Sequence, residues 1–445
     1  MNKKVLFVAY IFPPLGGSGV QRSLKFAKYL PLYGWSPTIL TVKKNSYKYQ
    51  DKSLASELPA NLEIVRLDDP IINLEERSLN VILNFLFSIA KRKDLIESII
   101  SDCNNKLLPL KKIANIPDTK IMWAINSIRN IHQKINIENF DLIYTTSGPY
   151  STNLIGYKIK EKYNIPWVSD FRDEWTNNQY LTKEYQENPS RFNLLKALEG
   201  KCLDLADKVI TISDMSRDNY ENKFGISKSK IDVITNGYDE KDFKDIINGK
   251  SDKFTIIHNG LFYKEHREPY NFLYALYRLI KNDFIRKECL RIVFTQNNEK
   301  LNISHFCKRL NIHEIVTQTG YLEHKESLKA ASKANILLLI VGSGEEKKSV
   351  YTGKVFEYLR LMKPILALAP KEGVVDQLLT ETGRGEAIEY DDIPGIEQYL
   401  LKTYNSWMSG KQTIYKNNRS IKKYERKDLT LKLASIFDSV LTEEK

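Results

Sequence analysis

No stretch of this sequence reaches the ~20 apolar residues in a row that a membrane-spanning helix requires. The first apolar run, in MNKKVLFVAYIFPP, is too short for a secretory signal and ends on two prolines, so it reads as a first β-strand. Cysteine is scarce: Cys103, Cys202, Cys289 and Cys307 are widely scattered and form no C-x-x-C pair. That pattern excludes a disulfide framework and fits free thiols in a reducing cytoplasm. Zinc-finger spacing, RNA-binding signatures and a long basic tail are also missing. Positive charge, by contrast, is abundant, with 67 Lys and Arg against 55 Asp and Glu and a formal charge of +12. Such an excess suits an anionic partner, whether nucleic acid, a membrane surface or a phosphorylated substrate. The missing motifs argue against nucleic acid. With 445 residues and 42% hydrophobic content, the chain has material for two or three domains.

Short apolar runs alternate with helical patterns, which predicts an α/β protein with parallel sheets. The first half offers strands at Lys4 to Ala9, Pro37 to Val42, Leu142 to Thr145, Trp167 to Asp170, Lys208 to Ile212 and Asp232 to Ile234. The second half offers Phe254 to His258, Arg291 to Thr295, Ile315 to Gln318, Ile336 to Val341 and Ile365 to Leu368. Two such series imply two Rossmann-like sheets with a cleft between them. The expected domains are 1–240 and 250–413, with the junction in the polar stretch Tyr238 to Lys253. A terminal helical segment, 414–445, alternates charged and apolar residues at helical spacing.

The most informative segment is ILLLIVGSGEEKKSVYTGKVFEYLRLMKPILAL, residues 336–368. Ile336 to Val341 has the length and branching of a buried parallel strand. Thr352 reads as an N-cap, and Gly353-Lys354 then opens a helix carrying Val355, Phe356, Leu359 and Leu361. The helix N-terminus, with its free N–H groups and Lys354 beside it, suits a diphosphate. One turn further on, Glu357 is placed to accept hydrogen bonds from two vicinal ribose hydroxyls. The alternative is an ordinary βαβ unit with an exposed glutamate.

Earlier in the chain, PPLGGSGVQR (Pro13 to Arg22) joins the first strand to an amphipathic helix, and its small residues allow close approach to an anion. A dinucleotide fingerprint would need a third glycine where Arg22 stands, which weakens a nicotinamide-cofactor reading. TTSGPYSTNLIG and PWVSDFRDEW each set polar groups just beyond a strand's C-terminal end, where doubly wound sheets bind ligands. A buried Asp170–Arg172 pair stands as the structural alternative there. In FTIIHNGLFYKEHREPYNFLYAL, a strand ends at Gly260, a loop carries Lys264 and Arg267, and a helix begins near Pro269. A guanidinium in that loop can bind phosphate oxygens in bidentate fashion. His258 and His266 flank the loop, but without a paired Cys or acidic ligand neither reads as a metal ligand.

Taken together these motifs resemble family 4 retaining glycosyltransferases of the two-domain GT-B architecture, in a subgroup of polysaccharide and cell-envelope biosynthesis. The resemblance implies that Glu357 is the second Glu of a Glu, seven residues, Glu motif and holds the nucleotide ribose. The first Glu falls at Ser349, a departure from the family pattern, with Glu345 and Glu346 in the same loop. The same resemblance puts Gly16, Gly17, Gly260, Thr352, Gly353 and Lys354 at the donor, with Arg267 and Lys264 on its diphosphate. D-F-R-D-x-W resembles a run of that subgroup, and since His132 lies outside it, Asp170, Arg172 or Asp173 takes that part of the cleft. Asn236 and Asp239 read as architectural. The implied reaction moves a sugar from a UDP- or GDP-linked donor to a glycan or polyprenyl-linked hydroxyl acceptor, with retention and with no metal or other cofactor. The implied terminal helix crosses back onto the first domain. A GT-B nucleotide-sugar epimerase and a non-catalytic GT-B binding partner are the other classes that fit.

Residues 91–134 hold nine Lys and Arg against four Asp and Glu and follow the apolar run Val81 to Ala90. Such a stretch could lie on an anionic membrane, on the inner face of the cell, or form an ordinary solvated surface.

Overall fold

The computed structural model describes residues 2–17, 19–43, 50–70, 76–92, 94–95, 97–98, 115–178, 181, 187–246, 249, 251–264, 267–295, 301–411 and 419–443. Cys103, Lys93, His266 and the start of the expected terminal segment lie outside the described residues. The chain divides into two units, Met1–Thr235 with Leu429–Lys445, and Asn236–Asp428.

The first unit is built on a seven-stranded parallel sheet: β1 (Lys3–Val8), β2 (Trp35–Val42), β3 (Glu63–Leu67), β4 (Leu142–Thr146), β5 (Trp167–Phe171), β6 (Lys208–Thr211) and β7 (Ile231–Val233), in the order β3-β2-β1-β4-β5-β6-β7. Both faces are buried, so neighbouring residues of a strand enter different cores. Val5 and Phe7 of β1 pack with Tyr144, Ile210 and the terminal helix. Leu6 and Val8 pack instead with Trp123, Leu154 and Leu198 of the helices on the opposite face. The terminal helix, Arg426–Glu443, contributes Leu429, Leu433, Phe437 and Val440, a stripe at helical spacing. Asp438 fixes it by accepting from Lys3 Nζ at 2.7 Å and Trp35 Nε1 at 3.1 Å.

The second unit holds six parallel strands: β8 (Phe254–His258), β9 (Leu290–Phe294), β10 (Val316–Gln318), β11 (Ile336–Ile340), β12 (Ile365–Leu368) and β13 (Gly385–Ile388), in the order β10-β9-β8-β11-β12-β13. In this unit the segment after residue 235 pairs with the residues that lead into the terminal helix and with the helix's first residue. The Tyr238 N–H donates to Tyr424 O at 3.1 Å, and Arg426 N–H donates to Tyr238 O at 2.7 Å. Each sheet reverses its strand order once, between β1 and β4 and between β8 and β11, and such switch points open a crevice for ligands.

Eleven strands fall where the apolar runs placed them. The two others, β3 and β13, are edge strands. EIVRL and GEAI are short, partly exposed and interrupted by charge or glycine, so neither gives the continuous apolar run of a central strand. Two local expectations change. The helix Gly19–Tyr29 is buried nearly all round, Gln21, Arg22, Ser23 and Lys25 included, rather than amphipathic. The run Val81 to Ala90 lies in the helix Glu76–Ala90, and it turns Ile82, Leu86 and Ile89 into the core. Of the apolar side chains in the run, Phe87 alone is exposed, at 43%. Most of the apolar surface expected to face a membrane is therefore engaged inside the unit.

Candidate functional site

In the second unit the switch point is lined by the loops that follow β8 and β11. The first loop turns sharply at Gly260, whose φ of +121° lies in a region that L-residues rarely adopt. The backbone therefore favours glycine, and a Cβ there would overlap the Cε and ammonium of Lys354 and push that side chain aside. The Gly260 N–H donates to Thr295 Oγ1 at 3.2 Å, fixing the turn to the end of β9. Three residues on, Tyr263 and Arg267 exchange backbone hydrogen bonds of 3.1 and 2.8 Å, and the Arg267 guanidinium lies 5.8 Å from the Tyr263 ring centre. Lys264 sits at the exposed tip of this small hairpin.

The second loop ends at the helix Gly353–Leu361, which buries Val355, Phe356, Tyr358, Leu359 and Leu361. Thr352 occupies the N-cap position, yet its hydroxyl makes no cap hydrogen bond. Its Oγ1 is buried and unpartnered. The expected side-chain cap is therefore absent, and the Val355 N–H donates instead to the Thr352 carbonyl at 3.1 Å. Lys354 emerges from that first turn over Gly260. Burial and then the charge of Arg267 lower its pKa to about 8, against a pull upward from Glu357.

A third cation joins them. Lys347, buried in the same loop, has its pKa lowered by burial and by Arg267, while Glu346 opposes the shift. Nothing in EEKK distinguishes Lys347 from a solvated lysine, so the sequence does not reveal it. Glu345 is exposed and pairs with Lys348 at 2.9 Å, and Ser349 is buried. Glu346 lies half-buried against Gly344.

Behind the cations stands His258, at the end of β8. Its Nδ1 lies 2.9 Å from Leu338 O and so must carry the proton. Burial, then the charges of Lys354 and Arg267, hold its pKa well below the ordinary value, leaving a neutral ring stacked on Phe262. One helical turn beyond Lys354, Glu357 is half-buried and hydrogen-bonded to His324 Nε2 at 2.8 Å. His324 opens the helix His324–Ser332, which precedes β11 in the chain, and sequence spacing does not link it to Glu357. Gly260→Ala should leave the sheet intact but displace Lys354. Affinity for an anionic ligand at this switch point, such as pyrophosphate, should fall at least tenfold by titration calorimetry, about 1.4 kcal/mol. An unchanged affinity would show that the Lys354 position is irrelevant.

In the first unit, the corresponding switch point gathers Gly16, Gly17, Gly19 and Arg172. Gly16 is half-buried and Gly17 exposed, with φ +100° at Gly17. Arg172 Nη1 donates to Gly19 O at 2.9 Å, and the Arg172 N–H donates to Ser147 Oγ at 3.1 Å. Burial lowers its pKa, against Asp173 and Asp170. Asp173 is exposed beside it.

Asp170 is different: the structure pairs it with Arg22 rather than Arg172. Arg22 Nε and Nη2 donate to its two oxygens at 2.7 and 2.9 Å, and Tyr144 Oη and Thr146 Oγ1 donate to Oδ2 at 2.7 and 3.0 Å. Arg22 Nη1 also donates to Ile234 O and Thr235 O. Asp170 is still inside β5 and points into the core, whereas Arg172 lies past the strand end where the chain has turned. The loop beyond is anchored by Trp175, stacked on Tyr150 and Phe171, and by buried Glu199. Glu199 accepts from the N–H groups of Trp175 and Thr176, and burial raises its pKa to about 7.

With both switch points described, residues 101–242 match the family model of Glycosyltransferase Family 4. No curated protein matches the sequence. Among solved structures, a sucrose-phosphate synthase from Thermosynechococcus elongatus is 14% identical over 99% of this chain and 100% of its own, with a TM-score of 0.67. A glycosyltransferase from Rickettsia africae is 14% identical over 99% of each chain, with a TM-score of 0.61. A lipopolysaccharide outer core galactosyltransferase is 11% identical over 99% of this chain and 100% of its own, with a TM-score of 0.56. Two doubly wound units of seven and six parallel strands, with these likenesses, define the fold as GT-B.

Proposed function

We propose that the protein is a glycosyltransferase whose second unit binds a nucleoside-diphosphate sugar. The observation that carries this reading is the convergence at one switch point of Arg267, Lys354 and a helix N-terminus without a side-chain cap, with Glu357 one turn beyond. The spacing suits a diphosphate at the cations and a ribose at the carboxylate. The match of residues 101–242 to Glycosyltransferase Family 4 supports the same reading.

In the proposed reaction the bond between the anomeric carbon and the diphosphate oxygen breaks, and the electron pair leaves with the nucleoside diphosphate. Arg267, Lys354 and the helix N-terminus stabilise that developing charge. The acceptor hydroxyl forms the new bond on the same face, with retention, and its proton passes to the departing phosphate. The first unit, with Arg172 and Asp173 at its switch point, takes the acceptor side. Acceptors are hydroxyls of a glycan or of a lipid-linked glycan, as in capsule, O-antigen or exopolysaccharide assembly. The test incubates the protein with a panel of UDP- and GDP-sugars, with and without lipid and glycan extracts. Acceptor-dependent release of nucleoside diphosphate is expected. Release of nucleotide and a rearranged sugar without any acceptor would identify an epimerase instead, and no turnover with any donor would argue for a binding protein.

Lys354 gives the site a pH signature. A bound diphosphate favours the charged ammonium, so nucleotide affinity should fall as pH rises above about 8, with net proton uptake on binding. For folding the sign is opposite. The folded value lies below the ordinary 10.5, so the unfolded chain holds more protons between about pH 8 and 10.5, and stability rises with pH in that window. Calorimetry in buffers of different ionisation enthalpy measures the uptake. A Lys354→Met variant should lose both the uptake and the pH dependence.

A further inference from the structure

We infer that His324 is a positioning residue that sets how Glu357 recognises the nucleotide ribose. The inference rests on the donor reading above and extends it to a residue outside both switch-point loops. The carboxylate of Glu357 is acceptor-only when ionised, so the proton between the two side chains belongs to His324 Nε2. That bond engages Oε1 and leaves the lone pairs of Oε2 for a ligand. His324 and Glu357 are 16% and 18% exposed, near enough to the surface to meet a ligand and sheltered enough to keep their geometry.

The two helices that carry the pair are themselves tied to the end of β8. Asn259 Nδ2 donates to Ser327 O at 3.1 Å on one helix, and the Asn259 N–H donates to Tyr358 Oη at 3.0 Å on the other. The residue next to Gly260 thus bridges the helix of His324 and the helix of Glu357. A free glutamate would sample several rotamers and lose that freedom on binding. One held by an imidazole on a bridged scaffold starts in the binding geometry. His324 touches no reacting atom in this account and acts through Glu357 alone.

The experiment compares ribo- and 2′-deoxyribonucleoside diphosphates by titration calorimetry on the full chain. It uses whichever of UDP, GDP or ADP binds tightest, with its 2′-deoxy counterpart. Wild type should favour the ribonucleotide by about tenfold or more, the effect of one charge-assisted hydrogen bond. His324→Ala should weaken ribonucleotide binding and shrink that preference toward one, with deoxynucleotide binding little changed. His324→Gln, whose amide donates from a similar place, should restore the preference, an outcome that general damage to the fold would not produce. His324→Leu, which keeps bulk without a donor, serves if the alanine variant melts below assay temperature. Full discrimination in a donor-less His324 variant, alongside its loss in Glu357→Ala, would overturn the His324 role and leave the donor reading standing. Undiminished discrimination in Glu357→Ala would overturn the donor reading itself.

Discussion

Replacing Asp170 by alanine should destabilise the first unit by roughly 3–5 kcal/mol, because it leaves a buried guanidinium without its counter-charge. In a unit of this size that corresponds to a fall in unfolding temperature of roughly 10 °C. Asp170 has no exposed surface, and Arg22 is almost as completely enclosed. The alanine variant also strands the donors of Tyr144 and Thr146, each of which costs free energy when left unsatisfied in a core. Arg22 further holds the carbonyls that follow β7, so the damage should reach the end of the sheet. Differential scanning calorimetry checks the size of the effect. A variant that melts like wild type but has lost all turnover would move Asp170 from the scaffold to the substrate.

Arg267→Ala should cut turnover by about 10²–10³, or 2.7–4 kcal/mol, with a smaller effect on ground-state donor affinity. Charge on the departing diphosphate grows as the glycosidic bond breaks, so a cation there contributes more to the transition state than to the bound donor. Arg267 also shapes its neighbours. Its charge lowers the pKa of both Lys354 and Lys347, so its removal should raise both and shift the pH dependence of binding upward. Steady-state kinetics separates the two effects. A higher KM at unchanged turnover would reduce Arg267 to a binding contact.

The parts of this architecture that could be read in advance share one property, a local chemical reason. Ile336 to Val341 is a strand because it is continuously apolar and branched, and Gly353 opens a helix because loop residues precede it and buried positions at helical spacing follow. Gly260, Arg267 and Lys354 stand out because glycine at a strand end and cations at a helix start carry their own logic. What could not be read depends on pairing across the fold. Arg22 and Asp170 are 148 positions apart and meet only because the helix after β1 packs over β5. His324 precedes β11 in the chain and Glu357 follows it, so they meet only because their two helices are neighbours. Lys347 is buried because its loop turns inward, not because of its sequence. Thr352 shows the reverse failure, since its identity and place promise a cap that its hydroxyl does not make.

The reading of the second unit as a nucleotide-sugar site depends most on Glu357. The decisive measurement is the affinity of nucleoside diphosphate for wild type and Glu357→Ala, by calorimetry, with melting curves showing that both proteins are folded. Loss of two hydrogen bonds to ribose should weaken binding by roughly 2–4 kcal/mol, about 30- to 1000-fold. Equal affinity in the two proteins would contradict the assignment of this unit to a nucleotide donor.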